Sequence, residues 1–440
     1  MTTIDEVPVG PEGRVYAEGW QSWSPTTWYG RVDPAHRPSQ QREHLMRFRP
    51  GSPLTDGVQG EGLLVVDPGD GSPVRTYGTM DASTEVPSIR AAWLGDRVVV
   101  DAETPVEIWT TDAGDAASSP AAVGGTGSPA GRRALEEFGD RFGATSGART
   151  GTPPRVWCTW YRYFEDVTAD DLVENLSAID EHALPVDVVQ IDDGWSLGTG
   201  EWMKPNPRFG SLPDVVARIR DNGRRAGIWL APFVVGSRSD AAQRQPEWLT
   251  GPAGRNWGDD LIGLDLTNPG VQAYLREVVA SLRELGVDYL KLDFLYAGAV
   301  PGPRHDPDAG SVEAYRSGLG LIREVMGDRA YLLGCGAPIL PSVGLVDAMR
   351  ISPDTFHEGG EDGSQGLRGA MSLQARAWQH GRLWTTDPDC LVARPQFALR
   401  DEWADVVLAA PGLRGFSDRI AELDTHGLRL VERLLDGASA

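Results

Sequence analysis

From Arg155 onward the chain repeats one pattern: an apolar run of strand length, then an amphipathic segment of helix length. The runs are Arg155–Trp160, Val186–Asp192, Ala226–Phe233, Val287–Phe294, Tyr331–Gly336, Asp347–Asp354, Arg382–Asp387 and Val406–Leu413. Candidate helices between them include Ala169–His182, Leu212–Arg225, Pro269–Leu285 and Val312–Met326, and a last helical stretch covers Arg419–Leu435. Strands that read as unbroken apolar runs are covered on both faces, which is the mark of a parallel sheet wrapped by helices. Eight such units in about 280 residues fit a (β/α)8 TIM barrel; a doubly wound sheet usually has fewer strands. Residues 1–112 read differently, with short runs such as Gly62–Asp67, Arg97–Asp101 and Val106–Thr111 punctuated by turn residues. They predict a small N-terminal β-sandwich. Residues 113–154 form a Gly/Ala/Pro-rich linker: the stretch Ala113–Gly131, a short helix at Arg132–Phe142, and a second break ending at Pro154. The barrel then occupies 155–440.

A TIM barrel carries its chemistry at the C-terminal ends of its strands. Here those ends carry carboxylates: Asp192-Asp193-Gly194-Trp195 after the second run, Asp293 after Lys291-Leu292 in the fourth, Asp354 after Arg350-Ile351-Ser352-Pro353 in the sixth, and Asp387-Pro388-Asp389 in the seventh. Like charges packed around one mouth are costly, so a fold needing only stability avoids them. Glycoside hydrolysis needs such a pair, one carboxylate as nucleophile and one to protonate the leaving oxygen, about 5–5.5 Å apart in a retaining enzyme. The competing reading is strand-end Asp residues capping loops or helices, and for Asp192 and Asp193 a turn role. Asp387 and Asp389 read as structural, with Asp-Pro opening a loop. Lys291 shares a strand face with Asp293, its obvious partner for an ammonium inside a barrel.

Composition narrows the ligand. A formal net charge of -22 repels phosphate backbones and anionic lipid, which argues against nucleic acid and membrane partners, whereas a neutral sugar meets no barrier. Three scattered cysteines, Cys158, Cys335 and Cys390, suggest neither a disulfide framework nor a zinc knuckle. No secretory signal is visible at Met1–Gly10 and no apolar stretch reaches membrane-spanning length, so a cytoplasmic location is expected. The chain lacks a G-x-S-x-G elbow, a P-loop and a dinucleotide fingerprint, so no cofactor is expected. The first strand, Trp157-Cys158-Thr159-Trp160, offers no His or carboxylate, which argues against a metal-dependent barrel hydrolase.

Taken in order, W-C-T-W, I-D-D-G-W, L-D-L-T-N-P, Y-L-K-L-D-F, R-I-S-P-D and T-D-P-D-C resemble the α-galactosidase (melibiase) clan, closest to glycoside hydrolase family 36 in its shorter bacterial and archaeal branch. The resemblance runs from about Trp157 to Leu435, and Gly19-Trp20-Gln21-Ser22-Trp23-Ser24 is similar to a motif placed ahead of such barrels. It implies a retaining, exo-acting enzyme for terminal α-galactosyl groups. Asp293 then matches the nucleophile and Asp354 the acid/base. Asp192 and Asp193 match the pair on the galactose 4- and 6-hydroxyls, and Lys291 and Arg350 the cations holding sugar hydroxyls. Cys335 and Gly336 match the loop facing the 2-hydroxyl, and Trp160, Trp195 and Trp229 are candidate walls. The sequence departs from the family at Leu292, at Phe294-Leu295-Tyr296 and at Cys335-Gly336-Ala337-Pro338, all near the sugar's 2- and 3-positions. An α-N-acetylgalactosaminidase, another α-glycosidase, a raffinose-type transglycosylase and an inactive sugar-binding barrel therefore stay open. The N-terminal domain is short for the family and its usual C-terminal β domain is absent from the sequence, which leaves homo-oligomerisation open too. Trp20 and Trp23 belong either to the sandwich core or to a loop reaching the barrel mouth. His305 and His357 fall in loops after the fourth and sixth runs, as surface residues or part of the subsite beyond the cleavage point.

Overall fold

The computed structural model describes residues 1–33, 45–51, 57–113, 127–356, 360 and 362–437. The N-terminal strands are β1 (Thr2–Pro8), β2 (Arg14–Ala17), β3 (Thr27–Gly30), β4 (Val58–Glu61), β5 (Leu63–Asp67), β6 (Val74–Gly78), β7 (Ser88–Leu94), β8 (Arg97–Ala102) and β9 (Glu107–Thr111). They make two antiparallel sheets, ordered β1-β8-β7-β4 and β3-β2-β5-β6-β9. Strand β5 reads LLVVD because both its faces are covered. Leu64 and Val66 enter the core between the sheets, with Val15, Tyr77 and Val100. Leu63 and Val65 join the larger core on the other side, with Phe138 of the helix Pro129–Ser146.

That helix begins before Arg132. Ser128 caps it by accepting the Gly131 N–H at 3.0 Å, and Pro129 suits the first turn because its missing N–H has no partner to lose there. Pro129 to Gly131 are thus helix and not linker, and residues 114–126 of the expected linker lie outside the described residues.

The barrel strands are β10 (Arg155–Cys158), β11 (Val188–Ile191), β12 (Arg225–Leu230), β16 (Val287–Leu292), β17 (Tyr331–Gly334), β18 (Ala348–Arg350), β19 (Thr385–Asp387) and β20 (Arg414–Phe416). Between β12 and β16 lie β13 (Val234–Gly236), β14 (Leu249–Asn256) and β15 (Asp259–Leu264), a separate three-stranded sheet. The eight barrel strands are parallel, in the order β19-β18-β17-β16-β12-β11-β10-β20, and form a nearly closed cylinder. Its seam is bridged where Leu413 N–H donates to the Thr386 carbonyl at 2.8 Å. Gly412 makes this approach possible, because a Cβ there would stand 2.0 Å from that carbonyl oxygen. The expected TIM barrel with an N-terminal β domain is the observed fold.

Two expectations need correction. Val406–Leu413 is not the eighth strand: Arg400–Ala409 is a helix whose apolar face buries Trp403, Val407 and Leu408, and the strand follows the Pro411-Gly412 corner. A short apolar run does not by itself separate a buried helix face from a strand. The Arg419–Leu435 stretch is likewise broken, into a turn at Ile420–Glu422 and a helix Thr425–Asp436 capped by Asp424, which accepts the Gly427 N–H at 2.7 Å.

Inside the cylinder the two-residue strand period sorts the side chains into layers. Val156, Val188, Tyr289, Leu333 and Ala348 make an apolar floor. Gly227 belongs to the same level, where a Cβ would meet Tyr289 at 2.9 Å. Two residues further along each strand come Cys158, Gln190, Lys291 and Arg350, which with Asp387 of β19 surround a space large enough for about one water. Two further still, β11 and β16 deliver Asp192 and Asp293 at the mouth.

The β-sandwich is tied to this mouth by a buried ion pair. Arg376 donates through Nε to Glu18 Oε1 at 2.7 Å, and both side chains are 0% exposed. Its remaining nitrogens reach the carbonyls of Ser22, Gln21 and Ile351 at 2.8, 3.1 and 3.1 Å. Glu18 is completed by Tyr16 and Gln379 at 2.8 and 3.0 Å.

Candidate active site

The mouth holds a cavity of about 620 Å³ whose walls include Trp23, Trp160, Asp192, Trp229, Trp257, Asp293, Asp354 and Phe356. Asp293 and Asp354 face this one space, as the pairing of a nucleophile and an acid requires.

Asp293 sits where β16 ends. Its N–H still bonds the Leu230 carbonyl at 2.7 Å, and Phe294 then takes a left-handed φ of 50° that turns the chain away. The Asp293 carboxylate accepts from Phe294 N–H at 2.8 Å and from Trp229 Nε1 at 3.1 Å, and touches the Cys335 thiol. Burial raises its pKa above the ordinary value. Lys291 pulls it back down, Asp354 pushes it up again, and the Trp229 and Cys335 contacts lower it. A carboxylate is a nucleophile only when ionised, so if Asp293 fills that role kcat/KM should fall as pH drops through a value above the normal aspartate range. A kcat/KM profile flat down to the pH of an ordinary aspartate would separate Asp293 from turnover.

Lys291 does not pair with Asp293. Its ammonium bonds Asp192 Oδ2 at 2.9 Å, because Asp192, at the end of β11 on the far side of β12, stands over the polar layer. Asp192 is further fixed by Gln190 Nε2 at 2.7 Å and Cys158 Sγ at 3.4 Å, so one oxygen collects three donors. Asp192 and Asp193 are thereby split between two spaces. Asp192 walls the main cavity, and Asp193 walls an adjoining one. Burial first, then the charges of Asp192, Glu165 and Asp293, push Asp193 up to about 7 against the pull of its bond from Gly194 N–H.

Arg350 lies beneath the mouth and is not on the main cavity's wall. Its guanidinium is shared by three carboxylates: Nε to Asp387 at 3.0 Å, Nη2 to Asp389 at 2.8 Å and Nη1 to Asp354 at 3.2 Å. Asp387 and Asp389 therefore hold the cation that holds Asp354, and Asp389 also bonds Tyr161 and the Thr355 N–H at the start of the next loop. The Asp354 side chain is 45% exposed while Arg350 is 3% exposed, so Asp354 reaches up to the opening from a buried anchor.

The aromatic residues divide by position. Trp160 and Trp229 line the cavity. Trp195 stands behind: it is buried, donates to the Trp229 carbonyl at 3.0 Å and stacks on Trp202, so it braces a wall and does not form one. Cys335 lies against Asp293 and Gly336 under Trp23, where a Cβ on Gly336 would meet the indole at 3.0 Å. The Trp20–Trp23 loop does reach the mouth. Trp20 is buried, and Trp23 lines the cavity edge-on to Phe294 at 5.0 Å. Its loop is paired with the loop after β17 through Ser22 and Ala337, which exchange bonds at 3.0 and 3.1 Å.

Sequence reasoning missed Trp257, Tyr161, Phe164, Glu165, Phe356 and Arg368, all on the cavity wall. Trp257 arrives on the β14–β15 hairpin, at a φ of 49° followed by Gly258 at 69°. That is a two-residue turn with both centres left-handed, whose usual signature is Asn-Gly or Asp-Gly; Trp-Gly hides it. His305 is exposed, with its N–H bonded to Asp265, and His357 lies outside the described residues. Among the described residues no three His, Cys, Asp or Glu side chains converge as a metal ion would require. No described helix is long and apolar enough to cross a membrane.

The chain is similar to known proteins in part of its sequence and in its fold. A family model described as Melibiase matches residues 146–327. The bifunctional alpha-galactosidase/sucrose kinase AgaSK of Mediterraneibacter gnavus is 26% identical over 157 residues, 32% of this chain and 17% of that protein. The alpha-xylosidase XylQ of Lactiplantibacillus pentosus is 27% identical over 157 residues, 32% of this chain and 19% of that protein. The matched stretches thus span less than a fifth of these relatives' length. The alpha-galactosidase TtGalA of Thermus thermophilus, solved with p-nitrophenyl alpha-D-galactopyranoside, superposes with a TM-score of 0.77 at 28% identity, covering 98% of this chain and 88% of that one. The same protein has also been solved with stachyose.

Proposed function

We propose that this chain, which carries a melibiase domain, is a retaining exo-acting α-galactosidase that releases terminal α-D-galactosyl groups from melibiose- or raffinose-type oligosaccharides. The observation that carries the reading is the pair Asp293 and Asp354 on one aromatic-walled cavity, delivered by β16 and by the loop after β18. Full-length superposition on a galactosidase solved with α-galactosides supports the substrate class.

In this reading a carboxylate oxygen of Asp293 attacks the anomeric carbon as the glycosidic C–O bond breaks. Asp354 gives its proton to the departing oxygen. The product is a covalent glycosyl-aspartate. Asp354, now ionised, takes a proton from water, which attacks the same carbon and frees Asp293. Overall the anomeric configuration is retained. Trp229 and Phe294 N–H hold the nucleophile's two oxygens, fixing the carboxylate plane before substrate arrives. Arg350 ties Asp354 to one arm of the mouth, so the acid stays in line with the leaving group. Asp192, oriented by Lys291 and Gln190, accepts hydrogen bonds from the sugar's ring hydroxyls, with charge-assisted contacts worth about 1.5–3 kcal/mol each. Asp193, Cys335, Gly336 and Trp160 complete the sugar's surroundings in the same reading. The cytoplasm fits this function, as does a neutral substrate for a chain of net charge -22.

The acid is tested by leaving-group dependence. Asp354→Ala should slow α-galactosides with alkyl or sugar leaving groups by about 10²–10⁴-fold and activated aryl galactosides far less, since only the former need the proton. Equal losses on both classes would remove Asp354 from that role. A second reading, another α-glycosidase of the same clan, is favoured by the α-xylosidase among the relatives. A panel of aryl α-glycosides decides between them: turnover of the xyloside above the galactoside selects the second.

A further inference from the structure

The β14–β15 hairpin turns at Trp257-Gly258, between the paired residues Asn256 and Asp259. Both central residues are left-handed, at φ 49° and 69°. Glycine adopts that conformation freely and Asn or Asp tolerates it, but a tryptophan takes it only at a cost in backbone strain. A chain that needed only a tight turn here has no use for an indole at its first position. We propose that Trp257 is a substrate-contact residue that sets how tightly the galactosyl ring is held, its indole covering C–H groups of that ring, and that the hairpin carries strain to put it there.

Strain in this molecule is not scattered. Among the described residues, those other than glycine with a left-handed φ are Phe164, Ala183, Trp257, Phe294 and Asp389. Phe164, Trp257 and Phe294 are aromatic and all line the main cavity. Asp389, bonded to the Thr355 N–H at 2.9 Å, anchors the residue that follows Asp354. Ala183 lies elsewhere, just after the helix Ala169–Glu181. Strain gathered on the aromatic lining of one cavity marks a site where the surrounding structure forces a side chain into place.

The two turn residues face opposite ways. A Cβ on Gly258 would meet nothing within 4 Å. Trp257 is half-buried and turned inward, its ring centroid 5.0 Å from that of Phe294 and 5.9 Å from that of Trp229. Both partners line the cavity as well, so the three rings form a wall and not a sealed core. The same partners decide which part of a substrate the indole meets. Phe294 N–H and Trp229 Nε1 are the donors that bond the Asp293 carboxylate, at 2.8 and 3.1 Å. In the proposed reading the ring that Asp293 attacks is the galactosyl ring, which therefore sits beside these two residues and the indole packed on them. The leaving group departs on the side of Asp354. A pyranose presents C–H groups between its hydroxyls, and an indole covers such groups well.

The inference rests on the α-galactosidase reading, and the test separates the two. Trp257→Asn restores an Asn-Gly turn and removes the indole; Trp257→Phe keeps an aromatic ring on the strained backbone. Each full-length variant is compared with the wild type on p-nitrophenyl α-galactoside and on melibiose, with free galactose as a competitive inhibitor, and the thermal midpoint is recorded. Trp257→Asn should raise KM for both substrates and the inhibition constant of galactose together, by about tenfold. Its midpoint should stay at the wild-type value or rise by about 2 °C, because the strain is gone. Trp257→Phe should regain most of the galactose affinity and show no gain in midpoint. Galactose inhibition of Trp257→Asn within about twofold of wild type overturns the contact. A raised KM on melibiose alone also overturns it, since the indole would then meet the leaving group. A midpoint below wild type assigns the indole to holding the hairpin and overturns the strain. All three results leave the α-galactosidase reading intact, whereas a wild type that turns over neither galactoside overturns both.

Discussion

Asp293→Ala is expected to lower turnover of an α-galactoside by at least about 10⁴-fold, with folding unchanged. Folding should survive because the carboxylate's contacts are to Trp229, the Phe294 N–H and Cys335, groups that can turn to water in the cavity they line or border. Removing the carboxylate leaves a space beside the anomeric carbon, on the face opposite the leaving group. Azide can enter it and attack an activated aryl galactoside, giving the β-galactosyl azide. The stereochemistry is the informative part. An α-azide would mean attack from the other face, and Asp293 would not be the nucleophile. Recovery of activity without any azide adduct would point to a water-activating base in its place. Lys291 should not rescue the variant, since its ammonium is bound to Asp192.

The second large effect concerns the join between the sandwich and the barrel. Arg376→Ala leaves Glu18 as an unpaired buried carboxylate and strands the carbonyls of Gln21, Ser22 and Ile351. Breaking one partner of a buried pair costs about 3–5 kcal/mol, so the thermal midpoint should fall by several degrees. The loss should extend to catalysis, because the same arginine holds the loop that carries Trp23 into the cavity. KM for a galactoside should rise several-fold in protein that is still folded at low temperature. Arg376→Lys distinguishes charge from geometry. Lysine restores the cation but lacks the planar fork that reaches several acceptors at once, so it should recover part of the stability and little of the KM. Full recovery by lysine would reduce the contact to charge balance; a wild-type midpoint for Arg376→Ala would show that the loop is held by other contacts.

The barrel was legible because its strands are buried on both faces. Runs such as Val188–Ile191 and Val287–Leu292 are mostly apolar because they lie between helices and the barrel interior, and that pattern survives in sequence despite Gln190, Asp288 and Lys291. The eighth strand was misplaced for the converse reason: Arg414–Phe416 is three residues long and carries an arginine, while the helix before it is the more apolar segment. Asp293 and Asp354 were legible as strand-end carboxylates in a fold whose chemistry lies at that end. Trp257 and Glu165 gave no such signal, since a hairpin and a loop carry them to the mouth.

What the sequence determined, then, is what a local period sets: the covered strands, and which carboxylates end up at the barrel's open rim, while the start of the helix at Ser128 escaped it. Tertiary structure alone decided the partners. Lys291 is two residues from Asp293 along β16, yet its ammonium meets Asp192, 99 positions away in the chain. Arg376 finds Glu18 at a separation of 358. A charge inside a low-dielectric interior binds whatever opposite charge the packing brings nearest, and nearness there is a property of how strands are laid side by side, which no spacing along the chain encodes.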